Sequence, residues 1–210
     1  MTRIEKLFST KQKDICNIYF TAGFPSLNDT EKIILTLEKA GADMVEIGMP
    51  YSDPLADGET IQQSSSVALD NGMNLHLLFE QIESVRQKSQ IPLVMMGYFN
   101  QVMQYGEEAF FKKCKEVGID GLILPDLPAA IYKADYQQLM NENGLDNIFL
   151  ITPQTPDERI VYLDKLSSGF VYMVADASVT GKQKDISNNQ ITYFERIEKM
   201  NLTNPRLIGF

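Results

Sequence analysis

A unit of helix, glycine and strand recurs three times in this chain and restricts the fold more than any other feature. The copies read GADMVEI from Gly41, GIDGLIL from Gly118 and GLDNIFL from Gly144. Each copy follows a stretch whose apolar residues recur at helical spacing. The glycine stands where a helix C-terminus favours a left-handed residue, and an apolar strand begins two or three residues later. Such a repeat predicts parallel strands joined by helices.

Extended over the whole chain, the pattern predicts an α/β protein. We expect strands near 16–21, 43–48, 92–97, 120–125, 147–151, 169–175 and 206–210. Helices are predicted near 3–11, 28–40, 60–70, 75–88, 107–117, 129–143, 157–166 and 189–200. The second helix begins with Asn28 and Glu31, which is typical of a capping box.

The uninterrupted series favours a (β/α)8 TIM barrel over an open doubly wound sheet. No low-complexity linker divides it, so we expect a single domain over residues 1–210. The count is one strand short of eight. We therefore expect a barrel truncated after about the seventh strand, with its C-terminal portion missing.

Composition excludes several classes of function. A net charge of −9 and a pI near 4.7 argue against a nucleic-acid or anionic-membrane binder, which would carry a basic face. Cys16 and Cys114 have no metal-like spacing, so reduced thiols are favoured. No stretch approaches the roughly 18 apolar residues of a membrane span, and the cytoplasm is the expected location. With neither metal-ligand clustering nor a dinucleotide fingerprint, we predict no cofactor in this chain.

Glu46 interrupts an otherwise apolar strand and is the first candidate for chemistry. Burying an unpaired polar group costs about 2–7 kcal/mol, so such a residue is tolerated mainly where it has a function. A loop rich in Pro, Gly and Asp follows and carries Asp53 and Asp57. An acid on a strand end with another on the next loop suggests an acid–base arrangement.

Three other acids stand at the opposite ends of their strands and favour a different interpretation. Asp43, Asp120 and Asp146 each follow a glycine of the repeat, at the start of a strand. Because chemistry in such barrels lies at the C-terminal ends of the strands, we interpret these acids as turn residues.

The loop after Glu46 carries a long resemblance. Residues 46–58, EIGMPYSDPLADG, followed by TIQ at 60–62, resemble the signature of the tryptophan synthase alpha subunit. Supporting segments follow in order: TAGFP at 21–25, GYFN at 97–100, PDLP at 125–128 and VTG at 179–181. Together the resemblance covers essentially the whole chain.

The resemblance implies a lyase of tryptophan biosynthesis. Members of this family cleave indole-3-glycerol phosphate in a retro-aldol reaction that gives indole and glyceraldehyde 3-phosphate. Indole then passes to a beta subunit, the expected partner in an α2β2 tetramer, which carries pyridoxal phosphate. The alpha chain itself is expected to hold no cofactor and no metal.

By the same resemblance, Glu46 is the general acid–base. It would protonate the indole ring carbon and assist loss of the glycerol hydroxyl proton. Asp57 would accept the indole N–H and stabilise positive charge on the ring. Each positioned acid or base of this kind is commonly worth about 10²–10⁴ in rate.

The resemblance also implies a set of substrate-binding residues. Thr180 would hydrogen-bond Asp57 from a segment resembling the family's lid, and the Gly181 N–H would reach the phosphate. The others are Tyr172 on the strand near 169–175, and Tyr19, Met96 and Ile123, which would line an apolar indole pocket. For these four residues, plain core packing remains an alternative. Asp126 matches an acid of the family whose expected role is support.

This sequence differs from the family pattern in two places, near Asp176 and at residues 207–210. Many members have a basic residue near Asp176, which puts lid closure in doubt. Residues 207–210 resemble the seventh strand, and the phosphate loops of such barrels come after it. We therefore hypothesise that the 210-residue chain cleaves its substrate poorly or not at all. The alternative is a weak or inactive module that binds the beta subunit through its 50–58 loop and nearby helices. A related sugar-phosphate isomerase is disfavoured because it would not need the whole 46–62 run.

Overall fold

The computed structural model describes residues 1–55, 57–175 and 186–209. The strands are β1 (Asn17–Thr21), β2 (Met44–Gly48), β3 (Leu93–Met96), β4 (Gly121–Ile123), β5 (Asp146–Asn147), β6 (Leu150–Ile151), β7 (Val171–Val174) and β8 (Arg206–Gly209). The helices are α1 (Arg3–Thr10), α2 (Asp29–Ala40), α3 (Glu59–Asp70), α4 (Leu75–Arg86), α5 (Phe99–Tyr105), α6 (Glu107–Val117), α7 (Ala129–Ile131), α8 (Gln137–Glu142), α9 (Asp157–Leu166) and α10 (Asn188–Glu198). A π-helical turn, Tyr132–Tyr136, joins α7 to α8. None of the described helices is long and apolar enough to cross a membrane.

The strands are parallel and pair in chain order, as the repeat predicts. One sheet runs from β1 to β5 and the other from β6 to β8. The predicted strand 147–151 is divided into β5 and β6. Its central residues still bridge the two sheets: Ile148 N donates to Leu122 O at 3.0 Å, and Phe149 O accepts from Tyr172 N at 3.0 Å. The backbone therefore keeps hydrogen bonds to the strands on both sides across the break between β5 and β6.

Strand register fixes which side chains enter the barrel. Met44 belongs to a fully buried interior cluster with Val94, Ile123, Ile148 and Phe170, among others. Ile4 of α1 joins this cluster, so α1 covers the N-terminal end of the barrel. The alternate residues Val45 and Ile47 pack outward under the helices. Because side chains alternate along a strand, Glu46 points into the interior, one step nearer the C-terminal end than Met44.

The glycines of the repeat have the expected backbone. Gly41 (φ 101°) and Gly118 (φ 82°) follow α2 and α6, and Gly144 (φ 67°) follows α8. All three are left-handed, a conformation that side chains with a Cβ rarely adopt.

The predicted capping box at Asn28 is wrong. Asn28 has φ −99° and ψ 11°, outside the extended region that a side-chain cap needs, and it forms no such bond within the described chain. Glu31 instead forms an ion pair with Lys88, just beyond α4.

Helix α5 is absent from the sequence prediction. Its first N–H, on Phe99, donates to both carboxylate oxygens of Asp126, at 2.8 and 3.0 Å. Asp126 thus stabilises the helix N-terminus from a distant part of the chain.

Candidate active site

Glu46 lies in the barrel interior and is only 2% exposed. Asn17, on the neighbouring strand β1, donates a hydrogen bond from Nδ2 to Glu46 Oε1. Burial raises the pKa of the Glu46 carboxyl from 4.5 to about 7, against the lowering effect of that hydrogen bond. At neutral pH the group therefore exists in both charge states and can give or take a proton.

Two tyrosines flank Glu46, and each one occupies the space over a glycine. A Cβ on Gly48 would lie 2.1 Å from Tyr19 Oη, and one on Gly209 would lie 1.9 Å from Tyr172 Oη. Burial, and the Glu46 charge less strongly, raise the pKa of both phenols. Both hydroxyls therefore stay protonated at neutral pH beside the carboxyl group.

Glu46, Asn17 and both tyrosines line a cavity of about 830 Å³, which we call the Glu46 cavity. It lies where β1 and β8 face each other; in the described residues β1 pairs with β2, and β8 with β7. Its remaining walls come from the segment before β1 and from β8: Phe8, Gln12, Lys13, Asp14, Ile15, Cys16, Pro205, Arg206, Leu207, Ile208 and Gly209.

Asp57 stands on the loop after β2. The Tyr98 hydroxyl donates to Asp57 Oδ2 at 3.1 Å, and the Tyr98 ring stacks on Tyr51 with 4.7 Å between centroids. Partial burial raises the pKa of Asp57 above its ordinary value, although the Tyr98 hydrogen bond opposes the change. The carboxyl is held in one place by an aromatic pair.

Asp57 lines a second cavity of about 160 Å³, the Asp57 cavity. Its walls are mostly apolar or aromatic: Tyr19, Met49, Tyr51, Pro54, Ile61, Ser65, Met96, Gly97, Tyr98, Pro125 and Asp126. Tyr19 lines both cavities. After burial, which acts most strongly, the charges of Asp57 and Glu46 both raise the Tyr19 pKa. The two predicted catalytic acids therefore face one side chain at the same end of the barrel.

The other predicted residues divide into three groups. Tyr19, Tyr172 and Met96 line the cavities. Ile123 is fully buried in the interior cluster, and the lining of neither cavity includes it. Its contact with substrate stays a prediction. Thr180 and Gly181 lie outside the described residues, as does Asp176.

Two residues of the site escaped the sequence analysis. Asn17 is two positions before Tyr19 and so on the same face of β1, which is the only sequence signal for it. Tyr98 was noted only as part of a matching segment. Among the described residues, no cluster of His, Cys, Asp or Glu could hold a metal ion.

Comparison with known proteins gives one consistent result. The family model described as tryptophan synthase alpha chain matches residues 6–210. The tryptophan synthase alpha chain of Flavobacterium psychrophilum is 57% identical over 210 residues, covering 100% of this chain and 83% of that protein. The one from Christiangramia forsetii is 55% identical, covering 100% and 82%.

Solved structures agree. The alpha subunit from Pyrococcus furiosus matches with a TM-score of 0.85 and 35% identity, over 93% of this chain and 78% of that one. A tryptophan synthase complex from the same organism contains a chain that matches with a TM-score of 0.85 and 33% identity, over 93% and 77%. The TIM-barrel fold and the resemblance seen in the sequence are both confirmed. The chain belongs to the tryptophan synthase alpha chain family, the lyases that cleave indole-3-glycerol phosphate in tryptophan biosynthesis.

Proposed function

We propose that this chain cleaves indole-3-glycerol phosphate at the C-terminal end of its barrel, with Glu46 as general acid–base and Asp57 as the partner of the indole N–H. One observation carries the assignment. A buried carboxyl with a pKa of about 7 and a second carboxyl face the same tyrosine, Tyr19, at the C-terminal end of the barrel. Active sites of this fold lie at that end.

The Asp57 cavity suits the indole ring. Met49, Met96 and the Tyr19 ring give it apolar walls, while Asp57 supplies one carboxylate. An aromatic bicycle gains from leaving water, and its single N–H needs an acceptor when buried. A carboxylate at that position also stabilises the positive charge that forms on the ring nitrogen when a ring carbon is protonated.

Glu46 supplies the proton for the ring carbon. The carbon–carbon bond then breaks, its electron pair returns to the ring, and the adjacent glycerol hydroxyl becomes an aldehyde as it loses its proton. Glu46 can accept that proton, so the carboxyl ends the cycle as it began. A pKa of about 7 serves both transfers because neither charge state is rare at neutral pH. Tyr172, beside Glu46, is proposed to contact the substrate, and the Gly181 N–H its phosphate.

We further propose a partner for the chain, a beta subunit that carries pyridoxal phosphate, in an α2β2 assembly. A solved neighbour is itself a tryptophan synthase complex. The loop after β2 presents Leu55, which is 90% exposed, and the exposed Asp53, a composition that fits a contact surface. Cytoplasmic location is part of the same proposal.

The test is indole release from indole-3-glycerol phosphate, measured with and without the beta subunit. Glu46→Gln and Asp57→Asn should each reduce kcat by about 10²-fold or more, since each removes a proton donor or an anion from the reacting atoms. Asp53→Asn is the matched control, because Asp53 lies on the same loop as Asp57 but is exposed. In the assay without the beta subunit it should retain wild-type kcat.

Unchanged rates in both active-site variants would exclude these acids from the mechanism. A wild-type chain that releases no indole under either condition, yet binds the beta subunit, would instead support the binding-module alternative. Family membership does not favour that alternative.

A further inference from the structure

We propose that Asn17 is the positioning residue of Glu46: its side-chain amide holds the carboxyl group in the cavity and serves as its partner in both charge states. This inference rests on the proposed role of Glu46. It concerns a residue that neither the sequence motifs nor the family resemblance singled out.

Strand pairing brings the two side chains together. β1 and β2 are paired so that Tyr19 lies opposite Glu46, and Asn17 is two residues earlier on the same face of β1. Its Nδ2 donates to Glu46 Oε1, the only hydrogen bond that the described residues give this carboxyl. The contact spans 29 positions in sequence, so only the folded sheet creates it.

The other end of the Asn17 amide is unusual. Its Oδ1 is buried and has no hydrogen-bond partner among the described residues. Buried acceptors without a partner are rare in folded proteins and call for an explanation. An amide carries donors on one side and an acceptor on the other.

The hydrogen bond from Nδ2 and the unpartnered Oδ1 together give the Asn17 amide a function during turnover. When Glu46 is ionised, Nδ2 donates to it. When Glu46 is protonated, a half-turn of the amide about χ2 brings Oδ1 to accept from the new O–H. An acid–base group that alternates between charge states thus keeps a hydrogen bond in each one. A valine has neither capacity, and an aspartate lacks the donor.

Few other groups can perform this task. The titratable side chains that line the cavity with Glu46 are Tyr19, Tyr172, Lys13, Asp14 and Arg206. Burial keeps both phenols protonated, and beside burial the Asn17 hydrogen bond is what shifts the pKa of Glu46. The neighbouring interior positions are Val94 on β3 and Leu207 on β8, which are apolar.

The experiment measures the ionisation of the Glu46 carboxyl group directly. Protein labelled with ¹³C at the glutamate carboxyl carbons is titrated from about pH 5 to 9, and the Glu46 signal is assigned by its loss in Glu46→Gln. We expect Asn17→Val to raise the titration midpoint by about one pH unit, because the carboxylate loses its donor. Asn17→Asp, of nearly the same shape, should raise it further by adding a like charge. Ile18→Val, on the opposite face of β1, is the control and should leave it unchanged.

Kinetics provide the second readout. Asn17→Val should lower kcat for indole release about ten-fold with little change in KM, and the limb of the pH profile that Glu46→Gln abolishes should move with the midpoint. If Glu46 titrates with the same midpoint in Asn17→Val as in the wild type, the inference is overturned. If Asn17→Val does not fold, the inference is overturned when the Glu46 midpoint in Asn17→Asp is equal to or lower than that of the wild type. An active Glu46→Gln instead overturns the proposed function, so the two failures are distinguishable.

Discussion

Two carboxyl groups along strand β2, those of Asp43 and Glu46, have pKa values shifted in opposite directions. Asp43, just before the strand, accepts from Lys11 Nζ at 2.6 Å and from Cys16 N at 2.7 Å. Burial acts to raise its pKa, but these hydrogen bonds win and the pKa is lowered. Glu46, three residues later, accepts from the Asn17 amide alone among the described residues, and burial raises its pKa to about 7.

Asp120 repeats the contrast at the start of β4. It accepts from Arg3 Nη1 at 3.0 Å, from Arg86 Nη2 at 2.8 Å and from Leu93 N at 2.9 Å. It therefore ties α1 and α4 to the strand ends. Asp43 and Asp120 are thus paired with cations at the N-terminal ends of their strands, whereas burial raises the pKa of Glu46 and Asp57. The contrast indicates that stability and the proposed chemistry occupy opposite ends of the same strands.

The largest effect is expected from removing the most heavily paired acid. Asp120→Ala leaves Arg86, whose pKa burial already lowers to about 10, without its carboxylate. Breaking a buried ion pair from one side costs about 3–5 kcal/mol. Urea denaturation should show that loss in the free energy of unfolding, while kcat of the folded fraction stays near that of the wild type. A loss below about 1 kcal/mol would mean that this end of the barrel is not held together by its charges.

Glu46→Gln should increase the free energy of unfolding, whereas Asp120→Ala should decrease it. The folded-state pKa of about 7 exceeds the ordinary value of 4.5, so the folded chain binds the extra proton between these limits. Wild-type stability therefore falls as pH rises from 4.5 to 7, and the variant lacks this loss. Above pH 7 the variant should be more stable by up to about 3 kcal/mol, with the difference vanishing near pH 4.5. Urea titrations at several pH values measure it, and a variant less stable than wild type at pH 8 would contradict it.

Local patterns were enough to predict most of this architecture. The repeat correctly predicted parallel strands that pair in chain order, and its glycines mark real helix ends. Asp43 was separated from the catalytic candidates because it stands at the start of its strand, where the structure pairs it with Lys11. These inferences succeed because each depends on a few consecutive residues.

The features that sequence could not supply depend on distant partners. Helix α5 begins where Asp126, 27 positions away, accepts its first N–H. The Asn17 contact with Glu46 needs the register of two strands, and the division of the strand near 147–151 into β5 and β6 depends on which neighbouring strand each part pairs with. The pairing of Asp57 with Glu46 was expected from the position of the loop after the strand and from the resemblance; the structure adds Tyr19 as a side chain that lines both cavities.

An effect of intermediate size is expected from Gly48→Ala, which would fill the space that the Tyr19 ring occupies. A Cβ in Gly48→Ala would lie 2.1 Å from Tyr19 Oη and 2.6 Å from Cζ, so the ring must move out of the wall that both cavities share. Overpacking of this kind costs about 1–3 kcal/mol. We expect a stability loss of about 2 kcal/mol together with a fall in kcat/KM of roughly ten-fold. The same substitution in a Tyr19→Ala background should cost much less stability, and equal costs in both backgrounds would show that the ring is not the obstacle.

The smallest effect is expected at the paired end of β2. Asp43→Asn keeps an oxygen that can accept from the Cys16 N–H but loses the charge that attracts Lys11, so about 1 kcal/mol of stability should disappear at pH 7. Because the folded-state pKa of Asp43 is lowered, its contribution is present above the ordinary value of 3.8 and is lost as pH falls below it. Wild type and variant should therefore converge in acid, whereas wild type and Glu46→Gln converge near pH 4.5 and separate as the pH rises. Urea denaturation at pH 7 and pH 3.5 measures the Asp43 difference. If the stability difference between wild type and Asp43→Asn is the same at pH 7 and pH 3.5, the ion pair between Lys11 and Asp43 contributes nothing to stability. The contrast along β2 then depends on the burial of Glu46 alone.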